Sequence, residues 1–161
     1  MAVHQRDPAT ERHFDARPGA LPETGTDWLH TVWAPRVLSI VRIVCGLIFM
    51  EHGTQKWLGF PPSGKPTPEL FSLSGFGGML ELVGGALLVF GLFTRPVAFI
   101  LSGEMAFAYW ISHAPRNMYP LLNGGDAPIL YCFFFLYLAF AGGGAWSLDN
   151  VLWKRDIPQA T

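Results

Sequence analysis

Apolar residues dominate four stretches of this chain, 36–58, 75–93, 96–113 and 127–145, and the segments between them are polar, proline-rich or turn-forming. A helix rises about 1.5 Å per residue, so a hydrocarbon layer of roughly 30 Å needs about 20 mostly apolar residues. The pattern predicts four helices, each crossing a membrane. A soluble domain can bury one such helix, but four in so short a chain would leave almost no amphipathic helix to cover them. The expected fold class is all-α, an integral membrane four-helix bundle.

The connections set the order of packing. Phe93-Thr94-Arg95-Pro96 is a tight turn, because proline starts helices and disfavours continuing the one before it, so the second and third helices form a hairpin. The first long loop, 59–74, carries Pro61, Pro62, Pro66 and Pro68. The second, 114–126, carries Pro115, Pro120 and the turn-former Asn123-Gly124-Gly125-Asp126. Both loops fall on one side of the membrane. Arg17, Arg36, Arg95, Lys154 and Arg155 fall on the other, against Lys56, Lys65 and Arg116 on the loop side, which predicts both termini in the cytoplasm. The six tryptophans sit at or near predicted helix ends, as interfacial belts require. Three regions are expected: 1–35, a mobile cytoplasmic N-terminal arm whose last residues, 27–33, lie in the interface; 36–149, the transmembrane domain; and 150–161, a short cytoplasmic tail. The arm mixes acids with its arginines and lacks the order of a cleavable signal, so the first helix is expected to direct insertion into the membrane.

Composition agrees. Half of the residues are hydrophobic and 14% are charged, too few to solvate a globular surface. A net charge of -1 with no lysine or arginine cluster excludes nucleic acid as a partner. Cys45 and Cys132, both inside apolar runs, form neither a disulfide framework nor a zinc or redox motif.

Against that background the charges inside the helices stand out: Arg42, Glu51, His52, Lys56, Glu81, Glu104 and His113. Each costs about 2.5–3.5 kcal/mol on insertion scales and is usually paired or functional. At about 100° per residue, Arg42, Phe49, His52, Gly53 and Lys56 share a face of the first helix, and Glu51 points away from it. Glu81 aligns with Gly85 and Leu88 beside a glycine seam, Gly77, Gly84 and Gly91 at seven-residue spacing with Gly78 and Gly85 alongside, which predicts close helix contact. Antiparallel topology puts Glu51, His52, Lys56, Glu81 and His113 in the outer half, Glu104 near mid-depth and Arg42 nearer the inside. Two readings follow. Either Glu81 neutralises Lys56 or bonds His52 to fix helix register, or these groups form a proton-carrying or ligand-binding pocket. A metal site is not expected without HExxH or clustered Cys/His ligands, and haem is disfavoured without a second histidine pair or CxxCH.

Arg42, Gly46, His52-Gly53 and Lys56, followed by Glu81-Leu82-Val83-Gly84-Gly85 and Gly91-Leu92-Phe93-Thr94-Arg95-Pro96, resemble the DoxX family of small bacterial membrane proteins. So does the ending Gly142-Gly143-Gly144-Ala145-Trp146-Ser147-Leu148-Asp149. The resemblance covers 36–149 and implies a four-helix bundle of the bacterial inner membrane, with Arg42, His52, Lys56, Glu81 and Asp149 at family motif positions. It also implies a link to the DoxD-type small subunit of thiosulfate:quinone oxidoreductase, to thiol redox balance and to oxidative stress.

The expected function is a membrane accessory subunit of a quinone- or thiol-linked redox system. Glu81 and His52 would exchange protons, Arg42, Lys56, Glu104 and His113 would bind the ligand, and Gly77, Gly84, Gly85, Gly91 and Asp149 would hold the structure. The cofactor is left open, with quinone a candidate. The expected partners are the lipid bilayer, oxidoreductase subunits and further copies of the chain. The rival expectations are a non-catalytic binder or transporter of a small or lipid-like molecule, and an assembly scaffold.

Overall fold

The computed structural model describes residues 28–153, and every regular element among them is helical. A π-helical turn, Leu29–Trp33, leads into α1 (Ala34–Leu58). Then come α2 (Leu73–Phe90), α3 (Thr94–Ala108) prolonged by a π-helical turn (Tyr109–His113), the single turn α4 (Pro120–Asn123), α5 (Asp126–Ala141) and the short α6 (Leu148–Trp153). Residues 1–27 of the expected arm and 154–161 of the expected tail lie outside the described residues.

Local chemistry sets the boundaries. Ser72 caps α2 by accepting from the Gly75 N–H at 3.0 Å. Gly91, at φ 66°, stops α2 at Phe90, so this helix is shorter than the apolar run that extends to Phe93. Gly142 at φ 85° and Gly144 at φ 79° likewise end α5 at Ala141, four residues before the apolar pattern ends. Leu29–Leu58 and Leu73–Phe90 are each long and apolar enough to cross a membrane, and α5 is apolar but shorter.

α1 packs on α2, and α3 on α5, with the α2–α3 hairpin joining the two pairs. The glycine seam is two rows rather than one. Gly78 and Gly85 face α1, where a side chain on Gly85 would meet the backbone of Met50. Gly77 and Gly84 face α3, where Gly84 lies against Leu101. Gly46 and Gly53 of α1 answer them, approaching Val89 and Leu82. The apolar core is centred on Phe49, Leu88, Leu101, Phe135 and Leu138, with the rings of Phe49 and Phe135 edge to face at 4.9 Å.

Polar and apolar residues are distributed the opposite way from a water-soluble domain. Ser39, Arg42, Glu81 and Ser102 are buried, whereas Val37, Val44 and Ile48 of α1, Phe76 of α2, Phe99 of α3 and Phe133 and Phe140 of α5 are exposed. In lipid an exposed hydrocarbon side chain costs nothing, while polar groups must find partners inside the bundle.

Those partners concentrate where the start of α1, the α2–α3 turn and the segment after α5 meet. Arg42 donates from Nε to Gly143 O at 2.7 Å, from Nη1 to Val89 O at 2.9 Å and also to Leu88 O, and from Nη2 to Trp146 O at 2.8 Å. Asp149 accepts from the Phe93 and Thr94 N–H groups at 2.7 and 2.8 Å, capping α3 from a distant part of the chain. Arg95 donates to Ala139 O at 3.2 Å and Phe140 O at 2.6 Å, satisfying the last turn of α5. The hydroxyl of Ser39 accepts from Trp146 N–H at 2.9 Å and donates to Pro35 O at 2.8 Å. The bundle is polar-stapled at this end.

Candidate functional site

At the opposite end, α2 and α3 leave a cavity of about 670 Å³ between them. Lys56, near the C-terminus of α1, reaches in across the bare backbone of Gly78, its stem lying over that glycine. Its ammonium donates to both carboxylate oxygens of Glu81 at 2.7 Å each. Glu81 is 8% exposed and Lys56 31%, so the carboxylate is the buried partner and the lysine stem runs outward. Two of the three ammonium protons are used by Glu81, and the third is available to a ligand.

Glu104, on α3, lines the same cavity. Its Oε1 lies against Gly77, where any side chain would crowd it, and its Oε2 is buried with no hydrogen-bond partner among the described residues. An unsatisfied buried carboxylate oxygen costs more than 1 kcal/mol on the usual scale and is rare, so it marks a place where a partner belongs. The rest of the lining is mainly apolar, including Leu73, Phe76, Leu80, Ile100 and Phe107, with Gly103 opening the α3 side. The combination is a mainly apolar pocket whose polar wall carries the Lys56 ammonium and the unpartnered Glu104 oxygen, with the hydroxyl-bearing Ser74 and Ser112 also in the lining.

The other residues singled out from the sequence lie elsewhere. Arg42 is not a cavity residue: its guanidinium is completely buried and committed to four backbone carbonyls at the stapled end. His52 is exposed on the flank of α1, its Nδ1 3.0 Å from Ile48 O of the same helix, and does not line the cavity. His113 has its Nδ1 3.0 Å from Asn123 O, tying the end of the α3 segment to α4. Asn123, which the sequence pattern assigned only to a turn, is buried and bonds Asn117 O and Gly125 N–H. Gly103 went unnoticed, although a glycine beside a helical glutamate in an apolar stretch was the available signal.

A second hollow, about 760 Å³, lies at the stapled end between the start of α1 and α6. Its charged groups, Arg95 and Asp149, are occupied with helix ends.

Fold and site together define a helical membrane protein with an ion pair between α1 and α2 and, on α3, a glutamate oxygen without a hydrogen-bond partner among the described residues. A family model described as DoxX matches residues 37–114. A protein of Haemophilus influenzae described as uncharacterized is 41% identical over 131 residues, covering 76% of this chain and 96% of that one. The inner membrane protein YphA of Escherichia coli is 32% identical over 133 residues, covering 72% and 90%. A Mycobacterium tuberculosis protein described as an uncharacterized membrane protein is 29% identical over 155 residues, covering 79% and 87%. No solved structure gives a significant match. The chain belongs to the DoxX family of membrane proteins.

Proposed function

We propose that this protein is a four-span inner-membrane subunit, with both termini cytoplasmic, that serves a quinone- or thiol-linked redox system through the Lys56–Glu81–Glu104 pocket. Its apolar outer surface and the length of α3 with its π turn support four crossings. The observation that carries the function is the unpartnered Oε2 of Glu104 in the same cavity as the Lys56–Glu81 pair.

Two-electron reduction of a quinone ring takes up two protons, and the electrons would come from a partner oxidoreductase subunit. Glu104 is free to carry one proton to a ring oxygen and be reprotonated from solvent, and the second proton would reach the other ring oxygen from solvent or the partner subunit, whereas Glu81 is held by Lys56. The third N–H of Lys56 would stabilise negative charge developing on the same oxygen. Proton exchange thus moves from Glu81 and His52, the pair expected from sequence, to Glu104, with Glu81 positioning the lysine. The mainly apolar lining also suits a second reading, a non-catalytic binder of a lipid-like molecule.

The test has two parts. Ligands extracted from the purified protein are identified by mass spectrometry, and a deletion strain is complemented with Glu104→Gln under oxidant and thiol stress. Co-purified quinone together with failed complementation by a stably folded Glu104→Gln protein is the expected result. A non-redox lipid with full complementation would leave the binder reading instead.

A further inference from the structure

The walls of the cavity indicate where its ligand comes from. Phe76 of α2 is 64% exposed, and along α3 and its π turn Ile100 is 54%, Phe107 71% and Ile111 53% exposed. All four line the cavity while also lying on the outer surface of the bundle. A mouth rimmed by large hydrocarbon groups is unfavourable toward water by about 25 cal/mol per Å² of exposed apolar surface, and free of that cost toward lipid.

Gly103 sits between Ile100 and Phe107 on that rim. It is exposed, and a Cβ built on it would meet nothing within 4 Å. At the polar wall, a ligand must satisfy one buried carboxylate oxygen and the third proton of Lys56. A hydroxyl does both, accepting from the ammonium and donating to Glu104. A permanently charged head could not cross the apolar rim without a large desolvation cost.

We infer that the cavity between α2 and α3 opens sideways into the bilayer and takes a neutral, lipid-dissolved molecule whose hydroxyl is held between Lys56 and Glu104, with Gly103 as the residue that keeps the mouth open. This rests on the reading that α2 and α3 both cross the membrane, but not on any redox step.

The test uses 4-decylphenol, which has the hydroxyl and no quinone chemistry, with the full chain in nanodiscs of dioleoylphosphatidylcholine. Saturable binding of radiolabelled probe is expected. Its methyl ether, which cannot donate to Glu104, should bind about tenfold more weakly, the effect of losing one hydrogen bond. Gly103→Phe should abolish binding without lowering the thermal midpoint, since the ring has open space and replaces a helix-destabilising glycine. Gly103→Ala, too small to fill the mouth, should bind like wild type. The water-soluble 4-hydroxybenzenesulfonate should neither bind nor compete.

Three results would overturn the inference: no saturable binding of 4-decylphenol, wild-type binding by Gly103→Phe, or competition by the sulfonate. Binding as expected alongside full complementation by Glu104→Gln would retain the lateral pocket and remove the redox proposal. The reverse combination would do the opposite.

Discussion

Lys56 holds Glu81 with two hydrogen bonds of 2.7 Å across the α1–α2 interface, and Glu104, in the same cavity, is left with a buried oxygen that nothing engages. One carboxylate is therefore structural and the other available. Glu81→Gln should lower the thermal midpoint, at a cost of roughly 1–2 kcal/mol, below the ~3–5 kcal/mol of a fully buried pair because the lysine is partly solvated. Glu104→Gln should leave the midpoint at or near wild type, since the carboxyl oxygen it replaces has no hydrogen-bond partner to lose among the described residues. Thermal scanning in detergent checks both. Equal losses for the two variants would mean that Glu104 has a partner after all.

Arg42 should be intolerant even of lysine. Its planar fork serves the carbonyls of Leu88, Val89, Gly143 and Trp146 at once, which a point-charge ammonium cannot match. Arg42→Met leaves the carbonyls of Val89, Gly143 and Trp146 without their side-chain donor, at about 1–3 kcal/mol each where burial is complete, while Leu88 O keeps the Gly91 N–H at 3.0 Å. Loss of extractable, monodisperse protein is the expected outcome for Arg42→Met and a clear reduction for Arg42→Lys. Wild-type yield from both would refute the staple.

The two glycine rows predict unequal responses to the same methyl group. A Cβ on Gly84 would lie 2.7 Å from Cδ2 of Leu101, the end of a side chain that can turn aside. A Cβ on Gly85 would lie 2.9 Å from both N and Cα of Met50, which can yield only if α1 moves. Gly84→Ala should therefore be close to neutral in thermal midpoint, and Gly85→Ala should cost on the order of 1–3 kcal/mol. Leucine at either position should disrupt folding. A reversed order for the two alanine variants would place the seam differently.

Topology is tested by reporter fusions after Lys65 and after Thr161. Opposite signals are expected, with the first outside and the second cytoplasmic. Identical signals would remove the four-span arrangement.

Much of the helix order was legible because apolar length and proline placement are local properties. The ends of α2 and α5 were overrun because Phe93 and Ala145 extend the hydropathy beyond glycines that stop the helix by backbone conformation. The Lys56–Glu81 contact was within reach as one of two partners for Glu81, since both residues were placed at similar depth. His52 sits about 80° around the helix from Arg42, at the edge of the assigned face, and lies exposed outside the cavity lining. That small angle separates cavity from flank. Arg42 could not be assigned from periodicity at all: its face was correct, but Gly143 and Trp146 come about a hundred positions later, and a helical wheel carries no information on them.

His30 and Trp153 border the same hollow, so the two ends of the described chain emerge together, at the stapled end and away from the cavity. A circular permutant is therefore geometrically accessible, with a short linker joining those ends and new termini cut into the proline-rich segment after Gly59. Affinity tags or reporters joined directly at residue 28 or residue 153, likewise, leave the α2–α3 mouth unobstructed, so that protein immobilised at those positions can be assayed for ligand capture.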